Sequence, residues 1–136
     1  MEIVAKFFNG VAAPFVMCSL YDMDVYFLID TGSNHNLINK AFLADQKYKN
    51  QVNKINDSMM TGNGEVENSE SIETTISIGN RNYLVQMVLV DYSNVFAVFE
   101  SFLGEKPVGI LGIDFLVKYG MVLDFWNWCM WKKVNS

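Results

Sequence analysis

One aspartate in an unusual setting carries the chemistry that this sequence suggests. Asp30 directly follows the apolar run 25–29 (VYFLI) and is followed by Thr31 and Gly32. A charge at the end of a buried strand is costly unless it gains a partner or a metal. Gly32 lets a substrate or a second backbone approach, and Thr31 supplies a hydroxyl. Taken alone, such a tripeptide is more often a strand that ends in a polar turn capped by Asp30.

A second segment, about eighty residues downstream, changes that balance. Residues 27–38 (FLIDTGSNHNLI) and 109–125 (GILGIDFLVKYGMVLDF) resemble the two signature blocks of retropepsin-like aspartic proteases. Such proteases occur in retroviruses and long-terminal-repeat retrotransposons, and both blocks stand here in the family's order. The Asn-Gly turn signal within residues 62–64 falls where that family has its flap hairpin. The resemblance extends over residues 14–125.

The resemblance implies a role for each matching residue. Asp30 would be the catalytic carboxylate, Thr31 would bond to its copy across a dimer axis, and Gly32 would contact a peptide backbone. Ser33 and Asn34 would continue the wall that contacts the substrate, and the flap would comprise Met60, Thr61, Gly62, Asn63 and Gly64. Val108 and Ile110 would line the pocket beside the scissile bond. Gly112 and Asp114 would support the loop that holds Asp30.

The chain departs from the family at two matched positions. Some retroviral members place an acid at the position of Asn34 and an arginine at that of Ile113, and the two side chains pair. Both residues are uncharged here, so this ion pair is absent as a unit. The departure affects substrate recognition on that side, whereas the Asp-Thr-Gly motif is intact.

A single aspartate motif implies two chains. Peptide hydrolysis in this class uses one carboxylate as a base and one carboxylic acid to polarise the carbonyl. Asp114 and Asp124 lack the motif's threonine and glycine, so the second carboxyl group must come from another copy. The family's terminal strands interlace between subunits, and residues 3–8 and 125–131 are the candidates here. The alternative is that the terminal aromatic residues complete the monomer core.

Three functions follow from these residues. The first is a homodimeric aspartic endopeptidase that cuts extended peptide or protein segments. The second is a catalytically silent dimerisation or peptide-binding module that kept the fold. The third, a small barrel for an apolar ligand, leaves both sequence blocks unexplained.

Composition limits the other possibilities. The 136 residues suit a single domain, 1–136, with a formal net charge of −5 and no Lys/Arg cluster, which argues against nucleic-acid or polybasic membrane binding. Cys18, Cys129 and His35 have no metal-site spacing, so no metal or cofactor is expected, and His35 has an expected structural role. The start of the chain lacks the features of a signal peptide, which favours a cytoplasmic location.

The pattern of short apolar runs and turns predicts a mainly β, single-domain, retropepsin-like barrel with two short helices and a flap hairpin. The helices are expected at residues 39–49, capped by Asn39, and 115–119, capped by Asp114. Trp126 and Trp128 are expected on one face of a terminal strand. Strands are expected at 15–20, 25–29, 74–78, 83–90 and 121–125, and hairpin arms at 58–60 and 65–67.

Overall fold

The computed structural model describes residues 1–46, 53–60 and 66–133. Three helices occur in this part of the chain: α1 (Lys40–Gln46), α2 (Ser93–Leu103) and α3 (Ile113–Lys118). The strands are β1 (Glu2–Lys6), β2 (Phe15–Leu20), β3 (Met23–Ile29), β4 (Asn36–Asn39), β5 (Asn53–Met60), β6 (Val66–Ile78), β7 (Arg81–Val90), β8 (Gly109–Leu111), β9 (Met121–Asp124) and β10 (Cys129–Lys132).

Six strands close into a barrel. Their order is β2-β3-β8-β4-β7-β6, and β6 pairs back onto β2 where Ser19 faces Ser77. Closure removes the open sheet edges that would otherwise invite pairing with other chains. β5 extends from β6 as the outer arm of a hairpin, with Met60 facing Val66. The mainly β, retropepsin-like fold expected from the sequence is confirmed.

The main core fills one face of the strands that carry the two sequence blocks. Along β3, Val25, Phe27 and Ile29 are buried, and they alternate with residues that are only half-buried. This is the period of two that a strand requires. At Gly109 in β8, a Cβ atom would collide with the ring of Phe27 and with a backbone carbonyl of β4, so only glycine allows the strands to pack this closely.

The hairpin and most strands lie where the sequence placed them, but the helices differ. β5 and β6 pair antiparallel and include the predicted arm at 58–60 and part of the arm predicted at 65–67, whose first residue lies outside the described part. α1 begins at Lys40, and residues 47–49 of the predicted helix lie outside the described part. Asn39 belongs to β4 and does not cap α1. Its side-chain Nδ2 donates to Ser93 Oγ (3.2 Å) and its side-chain Oδ1 accepts from Tyr92 N (3.3 Å), which anchors the start of the unpredicted helix α2.

Asp114 is also not the cap of the last helix. α3 begins at Ile113, with Gly112 in the N-cap position, so that Asp114 lies inside the first turn. There its carboxylate is 3.2 Å from His35 Nδ1. An acidic group in the first turn is favourable because it faces the positive end of the helix dipole. Gly120, with a φ of 62°, follows the helix in the left-handed conformation that favours glycine.

The terminal strands form a second, three-stranded sheet within one chain. Its order is β1-β10-β9, so β1 pairs with the chain's own β10. Residues 125–128 form the turn between β9 and β10, and the expected shared face of Trp126 and Trp128 is therefore wrong. Trp126 is 94% exposed, whereas the Trp128 indole donates to the carbonyl of Phe8 and packs edge-on against Phe7. Trp128 thus completes the monomer.

No helix in the described ranges is long and apolar enough to cross a membrane.

The β9–β10 turn is held by the carboxylate of Asp124. It accepts hydrogen bonds from the backbone and side-chain amides of Asn127, from the Trp131 indole and from Trp126 N. These bonds, led by the one from Asn127 N, lower the pKa of Asp124 to about 2. Because the pKa is lower in the folded state, the charged carboxylate stabilises the fold, and this contribution is fully present at pH values above the ordinary pKa of 3.8. The contribution is lost as the pH falls through about 2.

We therefore expect Asp124→Asn to lower the melting temperature at pH 7 and to have little effect near pH 2. The measurement is thermal unfolding of both proteins across that pH range. Asp45→Asn, which changes an exposed carboxylate on α1, serves as the control. An equal loss of melting temperature at pH 7 and pH 2 would contradict the role of the charge.

Candidate active site

Asp30 stands at the point where β3 leaves the barrel. Its backbone N–H donates to the carbonyl of Leu111 (3.1 Å), which extends the parallel pairing of β3 with β8 by one residue. Its side chain is half-buried, whereas Thr31 and Gly32 are exposed in the single chain. The carboxyl group therefore lies at the surface of the barrel, on a rigid strand end rather than on a long loop.

Short hydrogen bonds fix the turn that follows. Gly32 N donates to Asp30 Oδ1 (2.9 Å), and Ser33 N donates to the Asp30 carbonyl (3.2 Å). The Ser33 hydroxyl donates to the carbonyl of His35 (2.7 Å). Ser33 and the N–H of Gly32 are therefore engaged in holding the loop, whereas the residues Thr31 and Gly32 are exposed and accessible to another molecule.

Backbone hydrogen bonds from the second sequence block hold this turn in place, an arrangement that we call the clasp. Ile113 N donates to the Ser33 carbonyl (2.8 Å), and Asp114 N donates to the Asn34 carbonyl (3.3 Å). A Cβ atom at Gly112 would come within 2.5 Å of the carbonyl oxygens of both Ser33 and His35. Glycine is needed here because any side chain would push the two blocks apart.

Asn36 is a site-supporting residue that the sequence reasoning missed. It is 4% exposed, its Oδ1 accepts from Gly112 N (2.9 Å), and its Nδ2 donates to the Gln86 carbonyl (3.1 Å). The side chain thus ties the first block, the second block and β7 together, and its burial is offset by these bonds. No clear sequence signal marks its burial, because Asn36 follows the polar run 33–35 (SNH).

The expected pocket residues lie next to β3, the strand that leads to Asp30, but they are largely covered. Val108 is 8% exposed and Ile110 is 6% exposed. Ile110 pairs with Leu28, two residues before Asp30, and Phe96 of α2 packs against it. The flap is only partly described: Met60 ends β5, whereas Thr61, Gly62, Asn63 and Gly64 lie outside the described residues.

Nothing in the described ranges resembles a metal centre, since no three His, Cys, Asp or Glu residues there come together as ligands. The exposed pair His35 and Asp114 lies on the α3 side of the loop and does not reach Asp30 through any bond described above. The chemistry available at the loop is therefore that of a carboxyl group beside open backbone.

Comparison with known families agrees with this geometry. The sequence pattern that defines the aspartyl protease family matches residues 16–115, a stretch that includes the first sequence block and residues 109–115 of the second. The chain belongs to the aspartyl protease family. No curated protein matches the chain closely enough to count as a relative.

Three solved structures show how widely this fold is shared. EIAV protease complexed with the inhibitor HBY-793 is 22% identical and has a TM-score of 0.61, with 87% of this chain and 98% of that one covered. The retroviral protease-like domain of Ddi1 from Leishmania major is 14% identical with a TM-score of 0.62, covering 93% and 89%. A retropepsin-like aspartic protease from Rickettsia conorii is 17% identical with a TM-score of 0.56, covering 95% and 87%. At these identities the likeness establishes the retropepsin fold.

The clasp around Asp30 can be tested without any knowledge of substrate. Gly112→Ala should force its Cβ against two carbonyl oxygens and open the loop, so the amide protons of Asp30 and Ile113 should exchange at least about tenfold faster. Hydrogen–deuterium exchange measures this directly.

Gly104→Ala is the matched control, since its Cβ would meet no atom within 4 Å while its left-handed φ of 81° still costs stability. Unchanged exchange at Asp30 and Ile113 in the Gly112 variant would show that the loop does not depend on this glycine.

Proposed function

We propose that the protein is a homodimeric aspartic endopeptidase whose single active site takes Asp30 from each of two copies. The observation that carries the proposal is the clasped turn at Asp30, with a half-buried carboxyl group and exposed backbone at Thr31 and Gly32. Membership of the aspartyl protease family supports the chemistry. A scaffold with no catalytic task would gain little from holding a carboxyl group so rigidly at an open surface.

Two carboxyl groups divide the work of hydrolysis. Close together they cannot both ionise, so they hold one proton in common. The ionised Asp30 accepts a proton from water as the water oxygen attacks the carbonyl carbon, and the protonated Asp30 gives its proton to the carbonyl oxygen. The tetrahedral intermediate then collapses as its C–N bond breaks, and a proton moves to the leaving nitrogen. The products are a carboxyl group and an amine.

The substrate would bind as an extended strand. Apart from Gly32 N, which is bonded to Asp30, the backbone at Thr31 and Gly32 would offer main-chain hydrogen bonds. The β5–β6 hairpin would supply a second strand-like surface for closure. Recognition through the main chain suits any unfolded peptide segment, so the side-chain pockets would set the choice of cleavage site.

The homodimer would use the edge of the terminal sheet rather than interlaced strands. β10 is the central strand of this sheet, with β1 and β9 as its two outer strands, and we place the dimer contact at β9. Exposed apolar side chains cluster at this edge and in its turn: Val122 is 42% exposed, Phe125 60% and Trp126 94%. Such a cluster is typical of a surface that a partner covers, and two copies of β9 would pair across a two-fold axis.

A catalytically silent peptide-binding module is the second candidate. The observation that favours it is the covering of Ile110 by α2, because a substrate side chain then finds less of the expected pocket. Both candidates would bind extended peptides and both would dimerise. Only a measurement of peptide cleavage therefore distinguishes them.

Removing the carboxyl group of Asp30 tests the catalytic role. Asp30→Asn should reduce cleavage of a denatured protein between pH 4 and pH 7 by about 10³-fold or more, because the asparagine cannot exchange a proton. Pepstatin should inhibit the wild type. Asp45→Asn, on the exposed side of α1, should cleave like the wild type.

Cleavage that persists unchanged in Asp30→Asn would remove this residue from the mechanism. A wild type that dimerises, binds peptides and cleaves none would favour the silent module.

The β9 edge makes a separate prediction for assembly. Val122→Asp would place new negative charges close to Asp124 and opposite their own copies, and we expect the dimer dissociation constant to rise at least about tenfold. Sedimentation equilibrium over a concentration series measures it. Met23→Asp, at an exposed site on β3, is the control. Equal dissociation constants for the two variants would place the interface elsewhere.

A further inference from the structure

A row of paired apolar side chains crosses the sheet next to Asp30. Leu28 of β3 pairs with Ile110 of β8, Ile110 with Leu37 of β4, and Leu37 with Val88 of β7. Directly paired residues point to the same face of a sheet. Phe15 of β2, which pairs with Leu28, extends the row.

This row faces the side of the sheet that carries the Asp30 carboxyl group. Asp30 directly follows β3 and continues its pairing through the bond from Asp30 N to Leu111, so its side chain shares a face with that of Leu28, about 7 Å away along the chain. The intervening residue, Ile29, faces the main core instead. If the scissile bond of a substrate is held at Asp30, the side chain next to that bond would therefore contact this row first.

Helix α2 lies over the row. Phe96 is 1% exposed and packs with Leu37, Val88 and Ile110, while Phe99, one turn later, contacts Phe15 edge-on with ring centroids 4.9 Å apart. The hydrogen bonds from Asn39 to Ser93 and Tyr92 fix the start of the helix. As a result, Leu28 is the only member of the row that is still half-exposed.

We infer that α2 is the specificity-determining element of the proposed protease, with Phe96 limiting the size of the substrate side chains that flank the scissile bond. This inference rests on the proposed function. Because Phe96 fills the space above Ile110, a substrate side chain can contact the row only at Leu28. Only small apolar side chains fit in the space that remains. In a symmetric dimer, the same limit applies on both sides of the cleaved bond.

Cleavage-site profiling tests this inference. Wild type, Phe96→Ala, Phe96→Leu and Val98→Ala are each incubated with the same library of peptides from a digested proteome, and cut sites are read by mass spectrometry. Val98 is 65% exposed on the opposite face of α2, so its variant controls for changes to the helix itself. Fitted kcat/KM values for matched peptides with Ala or Phe beside the cut give the size preference.

We expect the ratio of kcat/KM for Phe over Ala peptides to rise at least about tenfold in Phe96→Ala, because the vacated space accepts the larger side chain. Phe96→Leu should give a smaller rise in the same direction, and it keeps the test decisive if the alanine variant fails to fold. Val98→Ala should keep the wild-type ratio.

The outcomes separate the two proposals. If the wild type cleaves peptides and both folded Phe96 variants keep the wild-type ratio of kcat/KM for Phe over Ala peptides, the proposed role of α2 is overturned. The proposed protease function is then unaffected. A dimeric wild type that cuts no peptide in the library overturns both.

Discussion

The structure depends on a clasp between two distant parts of the chain. The turn after Asp30 is held by backbone bonds from the segment that begins α3, and Gly112 lets these backbones come together. Asn36 completes the clasp by accepting from Gly112 N while it donates to β7. Because each bond involves backbone or a buried amide, the position of the carboxyl group follows from the barrel itself.

In the proposed mechanism, one chain by itself is incomplete. It holds one carboxyl group at a surface where Thr31 and Gly32 stay exposed, and acid–base hydrolysis needs a second carboxyl group beside the first. The pairing of the terminal strands also leaves an edge for a second copy, but it differs from the interlaced strands that the family resemblance implies. β10 lies between β1 and β9 within the chain, and the outer strand β9, next to the exposed Trp126 turn, is the edge proposed for a partner.

The sequence predicted most of what local patterns determine. β2 begins and ends at the predicted residues, since an apolar run between turns defines it, and the two blocks led directly to Asp30 and Gly112. Helix α2 was not predicted because it is apolar on both sides. Phe96 and Leu103 are buried while Val95, Val98 and Phe102 are exposed, so no polar face marks the period of 3.6. Asn36 and the β1–β10 pairing depend on partners 50 to 130 residues away in the sequence, which composition does not reveal.

The most direct test of the account is a subunit-mixing experiment. Wild type and Asp30→Asn are unfolded together, refolded at fixed total concentration in varied proportions, and assayed for cleavage. If each site needs Asp30 from two copies, activity follows the square of the wild-type fraction, so an equal mixture retains about a quarter of the wild-type rate. Activity that falls in direct proportion to the wild-type fraction would mean that a single copy holds a complete site, and it would contradict the shared carboxyl pair.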